Sequence, residues 1–127
     1  MLHFVSEYEP SLIDEQVVPG IDLTAELIKH PNSTFLVRMT SNELITSGIF
    51  QNDLLVIDRS LPVHQNDLVL AYLNEDAVIR YYSRQVTGIR LSTDTHNPQR
   101  IQLLTLDDTF QLFGVVTSII RQLHSDF

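Results

Sequence analysis

The chain has no cysteine, and lysine occurs once, at Lys29. Without cysteine there can be no disulfide, no thiolate metal site and no cysteine nucleophile, which fits a reducing compartment. Glycine is sparse, with four residues at positions 20, 48, 88 and 114. Neither a GxGxxG nor a GxxxxGK phosphate-binding loop can be written from them. Base is also short: 8 Lys and Arg stand against 16 Asp and Glu, a net charge of −8. Such a chain repels phosphate backbones, so no direct DNA binding is expected and a protein partner is. The stretch "RYYSRQ" (80–85) interleaves Arg and Tyr as a base-stacking surface would. A two-faced strand explains the same letters more simply. The five histidines, at 3, 30, 64, 96 and 124, include no close pair and no acidic cluster at ligand spacing, so no metal and no cofactor are expected. No apolar run approaches the roughly 18 residues a membrane span needs. The opening "MLHFVSEYEP" lacks the basic and apolar regions of a signal peptide. The expected location is the cytoplasm.

What is present points to one β-rich domain. At 127 residues and 43% hydrophobic content the chain can bury a core without staples. Residues 1–20 mix acids, two prolines and a closing glycine with no clear period and read as an arm, against a body of residues 21–127. Such an arm would dock on the body or on a partner through Val5, Leu12, Ile13 and Val17. Residues 22–30 predict a helix, with Asp22 as N-cap, Leu23 and Leu27 on one face, and Pro31 as the stop. Seven segments rich in Val, Ile, Tyr and Phe follow, at 34–39, 53–58, 67–73, 77–84, 88–93, 101–106 and 110–123. Short strands at near-even spacing indicate an antiparallel β domain that curls on itself. "QNDLLV" (51–56) and "QNDLVL" (65–70) repeat one turn chemistry, with Asn in the left-handed conformation that otherwise calls for Gly.

Residues 40–49, a polar lead-in, an apolar turn and Gly48 before a strand, have the layout of a loop that presents a reactive side chain, yet Glu43 heads the turn. Composition leaves a Ser–His–Asp triad open, although no G-x-S-x-G elbow occurs. A Ser–Lys dyad would have to use Lys29 at a helix end, where an amine is solvated rather than desolvated into a base. Ser41 or Ser47 acting in a shifted register would lack a base in the same way.

Three blocks, in order and at matching spacing, resemble the UmuD/LexA family of self-cleaving Ser–Lys peptidases, UmuD most closely. They are "IDLTAELIKHPNSTFLVRM" (21–39), "GIFQNDLLVIDRSL" (48–61) and "DDTFQLFGVVTSIIRQL" (107–123), and the similarity covers about residues 10–123. The resemblance implies a mainly β fold: a curled antiparallel β domain of the LexA/signal-peptidase-like (β-clip) type with one short N-terminal helix. It places the nucleophile motif on residues 41–49, with Glu43 at the serine position, and puts Arg80 at the position of the lysine base. The bond such proteins cleave joins a small residue to Gly. Here the four glycines follow Pro19, Ser47, Thr87 and Phe113, and the aligned bond is Glu7-Tyr8. The family's "N-x-x-Y-x-P-I" loop falls on residues 93–98 and keeps only Pro98.

Arg stays protonated and cannot act as the base, and Glu43 attacking a peptide would give an anhydride with nothing to activate it. We therefore expect an ion pair between Glu43 and Arg80 in fork-to-carboxylate geometry. If that pair is buried, breaking one side should cost about 3–5 kcal/mol. The resemblance further implies a homodimeric accessory subunit of an error-prone, UmuC-like Y-family translesion polymerase that meets the RecA filament in the SOS response. The alternative is a pseudo-peptidase regulator that forms mixed dimers with UmuD/LexA-type proteins. The dimer surface is expected on the last strand, at Phe110, Leu112, Phe113, Val115 and Ile119, whose apolar residues exceed what a lone edge strand can cover.

Overall fold

A computed structural model describes residues 22–124. The expected arm and the Glu7-Tyr8 bond lie outside the described residues. Helix α1 (Leu23–Leu27) begins where expected, with the Asp22 carboxylate accepting from Ala25 N at 3.2 Å. It is shorter than the expected 22–30, because Ile28 is already extended and no residue of α1 is buried. A helix this short gains little on its own and needs packing to propagate.

All seven expected strands form: β1 (Thr34–Arg38), β2 (Leu54–Asp58), β3 (Asp67–Leu73), β4 (Asp76–Gln85), β5 (Gly88–Ser92), β6 (Ile101–Leu103) and β7 (Phe110–Ile120). They make one sheet in the order β1-β2-β7-β3-β4-β5-β6, with every pairing antiparallel. β6 stops at Leu103 rather than 106, because Asp108 folds the next residues into a turn by accepting Thr105 N at 2.9 Å.

The turns follow the expected chemistry. Asn52 and Asn66 adopt φ of 77° and 67°. The Asp after each accepts the amide three residues back: Phe50 N to Asp53 and His64 N to Asp67, both at 2.8 Å. β3 and β4 are joined by Asn74-Glu75, with φ of 50° and 74° and Leu73 facing Asp76, the two-residue turn whose twist matches a hairpin.

β3 explains its unbroken apolar letters by being buried on both faces. Leu68 and Leu70 pack in one cluster with Met39, Leu44, Ile49, Leu55, Ile57 and Ile79. Val69 and Ala71 pack in a second with Tyr82 and Leu91. β7 lies inside the sheet, pairing through Phe110–Val115 with β3 and through Val115–Ile120 with β2. That corrects the premise of a lone edge strand. Phe113 is an extra residue opposite the Leu70–Ala71 step, and Thr117 opposite Val56–Ile57. The bulge at Phe113 breaks the two-residue alternation: Phe110 and Leu112 serve the second cluster, whereas Phe113 and Val116, three residues apart, both serve the first. Between the bulges, an added Cβ on Gly114 would stand 2.8 Å from Ile57 Cγ2 and 3.0 Å from the Asp58 carbonyl oxygen.

Candidate functional site

The loop between β1 and β2 is held to the core by three apolar anchors, Met39, Leu44 and Ile49, each no more than 5% exposed. Between them a short 3-10 turn (Ile45–Ser47) closes on Gly48 at φ 83°, which returns its amide to the Ile45 carbonyl at 3.0 Å. The positive φ is the physical reason for glycine there. The Asn42 side chain accepts Gln51 N at 2.8 Å and closes the loop's neck. The Ser47 hydroxyl donates to the Thr93 carbonyl at 2.8 Å, tying the loop to the end of β5 and showing how far the sheet curls.

On this platform Glu43 meets Arg80, which stands opposite Val69 in the β3–β4 pairing. Arg80 Nη1 donates to Glu43 Oε1 at 2.7 Å and to the Ile79 carbonyl at 2.8 Å. The expected ion pair therefore forms, but through one guanidinium nitrogen rather than as a fork. The Arg80 side chain is 17% exposed and that of Glu43 40% exposed, so the pair is not buried. The energy of a half-exposed, one-pronged pair belongs with surface pairs at about 0–1 kcal/mol, not with the 3–5 kcal/mol of a buried one.

The family profile described as Peptidase S24-like matches residues 3–117. The chain belongs to that family. Among curated proteins it is similar to the LexA repressor of Clostridium acetobutylicum, 24% identical over 114 residues that make up 90% of this chain and 54% of the repressor. The LexA repressors of Sorangium cellulosum and Pseudoalteromonas atlantica are each 26% identical over 117 residues. These stretches cover 90% and 92% of this chain, and 50% and 56% of the repressors. The chain spans about half the length of these curated relatives.

In this Peptidase S24-like chain the other residues weighed for chemistry fall apart in space. Lys29 lies before β1, and Thr34 pairs with Asp58 whereas Arg38 pairs with Leu54. Lys29 is thus at the Asp58 end of the β1–β2 hairpin, and the Glu43 loop at the other end, about 13 Å along a five-residue strand. The hydroxyl of Ser47 is spent on a carbonyl, and Ser41 Oγ only accepts Glu43 N at 3.5 Å. A Ser, a His and an Asp do meet elsewhere, in an order that is not a triad. The Ser60 hydroxyl donates to Asp58 Oδ1 at 2.6 Å, and His30 Nδ1 lies 2.6 Å from Asp58 Oδ2. Both converge on the carboxylate, so the imidazole has no hydroxyl to activate. The cluster ties the segment after α1 to the end of β2. Its hydrogen bonds, from Ser60 first and His30 next, hold the Asp58 carboxyl below the usual carboxylate range against the opposing effect of burial.

Sequence reasoning missed the strongest ion pair near the loop. Arg121, just past β7, grips Asp53 with Nε to Oδ1 at 2.6 Å and Nη2 to Oδ2 at 2.5 Å, donates to the Gly48 carbonyl at 2.8 Å, and lies 4.3 Å above the Phe50 ring. Asp53 is 2% exposed. The Arg121 bond, with help from Phe50 N, lowers its pKa although burial opposes this. Nothing in the letters "SIIRQL" marks Arg121 as the partner of a residue 68 positions earlier. Of the residues expected at a dimer surface, four are engaged inside the chain. Phe110 stacks on Tyr82, Leu112 packs on the second cluster, Phe113 sits between Phe35 and Tyr72 under Arg59, and Val115 is 8% exposed. Only Ile119, at 44%, faces outward.

Proposed function

We propose that this chain is a catalytically inactive, UmuD-like protein that acts as the homodimeric accessory subunit of an error-prone Y-family polymerase in the SOS response. The observation that carries the reading is the 2.7 Å contact of Arg80 with Glu43, at the two positions where the resemblance puts base and nucleophile. A guanidinium has no lone pair to take a proton at neutral pH, and a carboxylate already bonded to it is a poor nucleophile. The loop at the serine position is held by its apolar anchors, its glycine turn and its Arg121 clamp, none of which needs the chemistry. The dimer is formed around Ile119 and the end of β7. The full chain is incubated with RecA, ATP and single-stranded DNA and then weighed intact. The mass stays unchanged; loss of the first residues refutes inactivity.

The similarity to LexA repressors favours a second reading, in which the chain forms mixed dimers with LexA- or UmuD-type proteins and so modulates the response. Co-purification with a UmuC-type polymerase and with a LexA-type protein separates the two readings. Retention of the repressor type alone sinks the accessory-subunit reading.

A further inference from the structure

The sheet holds a small cleft that neither the Glu43 loop nor the Arg121 clamp uses. Strand pairing sets its walls. Across β4 and β5, Tyr81 stands opposite Ser92 and Ser83 opposite Arg90, and Ser92 in turn faces Ile101 of β6. Alternation along β4 sends Tyr81 and Ser83 to the face opposite that of Arg80. Asn66, from the turn into β3, and Thr95, from the loop after β5, complete the lining. The cleft measures about 190 Å³. That is below the roughly 300–1,000 Å³ of pockets that take drug-sized ligands. A space this small takes one ion, or one end group of a larger molecule.

What the cleft offers such a group is hydrogen-bond donors. The Arg90 guanidinium and the Tyr81 hydroxyl make no hydrogen bond or ion pair to a described residue. Ser92 is 6% exposed; its Oγ accepts Asp94 N at 2.9 Å, and no described residue accepts its hydroxyl proton. A buried hydroxyl has given up water and needs an acceptor for that proton. Ser83 repeats the pattern, with Oγ accepting Gln85 Nε2 at 2.5 Å and its own proton unassigned among the described residues. No acid lines the cleft. From residue 81 to 104 the one acid is Asp94, whose Oδ1 accepts His96 N at 2.9 Å.

We infer that this cleft binds a phosphate group, as the free ion or as a monoester. Arg90 is its charged partner, and the hydroxyls of Tyr81, Ser83 and Ser92 are its further donors. A planar guanidinium matches two phosphate oxygens at once. The three hydroxyls come from two strands and need acceptors outside that plane, which a tetrahedral phosphate has and a flat carboxylate lacks. A neutral ligand would make no use of the charge. The net charge of −8 opposes any anion at long range, but at physiological salt that repulsion is screened beyond about 8 Å. The inference does not rest on the accessory-subunit reading.

The full chain is titrated at pH 7 with inorganic phosphate, with sodium chloride holding the ionic strength constant, and followed by backbone-amide NMR. Saturable shifts are expected at Ser83, Arg90, Ser92 and Asp94. Arg90→Gln loses no internal partner, keeps the fold and weakens binding about tenfold or more, as loss of a charge-assisted bond implies. Arg84→Gln removes the same charge from the other face of the sheet, where Arg84 stands opposite Ile89, and leaves the affinity as it was. Tyr81→Phe keeps the ring that packs on the core and weakens binding about threefold. Acetate binds far more weakly than phosphate. Methyl phosphate separates the two sources of the group: affinity equal to that of inorganic phosphate assigns a monoester, and its loss assigns the free ion. Shifts that stay linear with phosphate overturn the inference. So do equal effects of Arg90→Gln and Arg84→Gln, or acetate binding as tightly as phosphate.

Discussion

At Glu43 and Arg80 two opposite charges meet on a half-exposed surface, and exposure limits what their contact is worth. Glu43→Ala and Arg80→Ala should each cost no more than about 1 kcal/mol in denaturant unfolding, with a coupling of about 0.2–1 kcal/mol in the double mutant. A coupling above about 3 kcal/mol would mark a buried pair and contradict the exposure seen here. Asp53 is the opposite case: its carboxylate is buried, gripped twice by Arg121 and once more by Phe50 N. Asp53→Ala takes the carboxylate from Arg121, leaving it the Gly48 carbonyl and the Phe50 ring, and should destabilise the fold more than Glu43→Ala does. Reading this from sequence was out of reach. A charged residue shows its sign in the letters, but its burial is set by which distant strand end folds over it.

Among elements, β7 and the β3–β4 hairpin carry the sharpest consequences. Gly114 lies where β7 passes close against Ile57 and Asp58 of β2, so Gly114→Ala forces the backbones apart and should cost about 1–3 kcal/mol. Glu75 holds a left-handed conformation that a side chain disfavours by about 1–2 kcal/mol, and Glu75→Gly should raise the unfolding midpoint. Asn52→Gly and Asn66→Gly should change stability little, since Asn already tolerates that conformation. Positive φ at Asn52 and Asn66 was legible because the same "QND" letters open two neighbouring strands. The strands were legible from their β-branched and aromatic content. The position of β7 inside the sheet was not, because pairing partners far apart in sequence leave no periodic mark.

Across the whole molecule, acid should be the weak side. Asp53, Asp58 and Asp108 all titrate below the ordinary carboxylate range. Arg121 is the main cause for the first, the Ser60 hydroxyl with His30 for the second, and the Asn74 amide with Thr105 N for the third. Each binds a proton more readily unfolded than folded, so its contribution is present above about pH 4 and fades as pH falls through the lower folded value. The unfolding midpoint should hold between pH 7 and 5 with respect to these groups and drop steeply below about pH 4. Asp53→Asn should flatten that drop, and an unchanged acid limb would exclude Asp53 from it. Assembly is tested at the same scale. Ile119→Glu puts a charge on the one expected dimer residue that faces outward and should shift a dimer towards monomer in sedimentation. An unchanged state would remove the end of β7 from the interface.

The sequence by itself determined the strand segments, the turn chemistry, the acidic balance and the lack of a usable lysine, because each rests on local residue preference or on simple presence. It also carried enough of a family pattern to bring Glu43 and Arg80 into one question. Tertiary structure alone decided that their contact is single and half-exposed, that Asp53 and Arg121 clamp the loop, and that most of the apolar residues of β7 face inward. These are matters of burial and of distant pairing, and both are settled by how the sheet curls over its own ends.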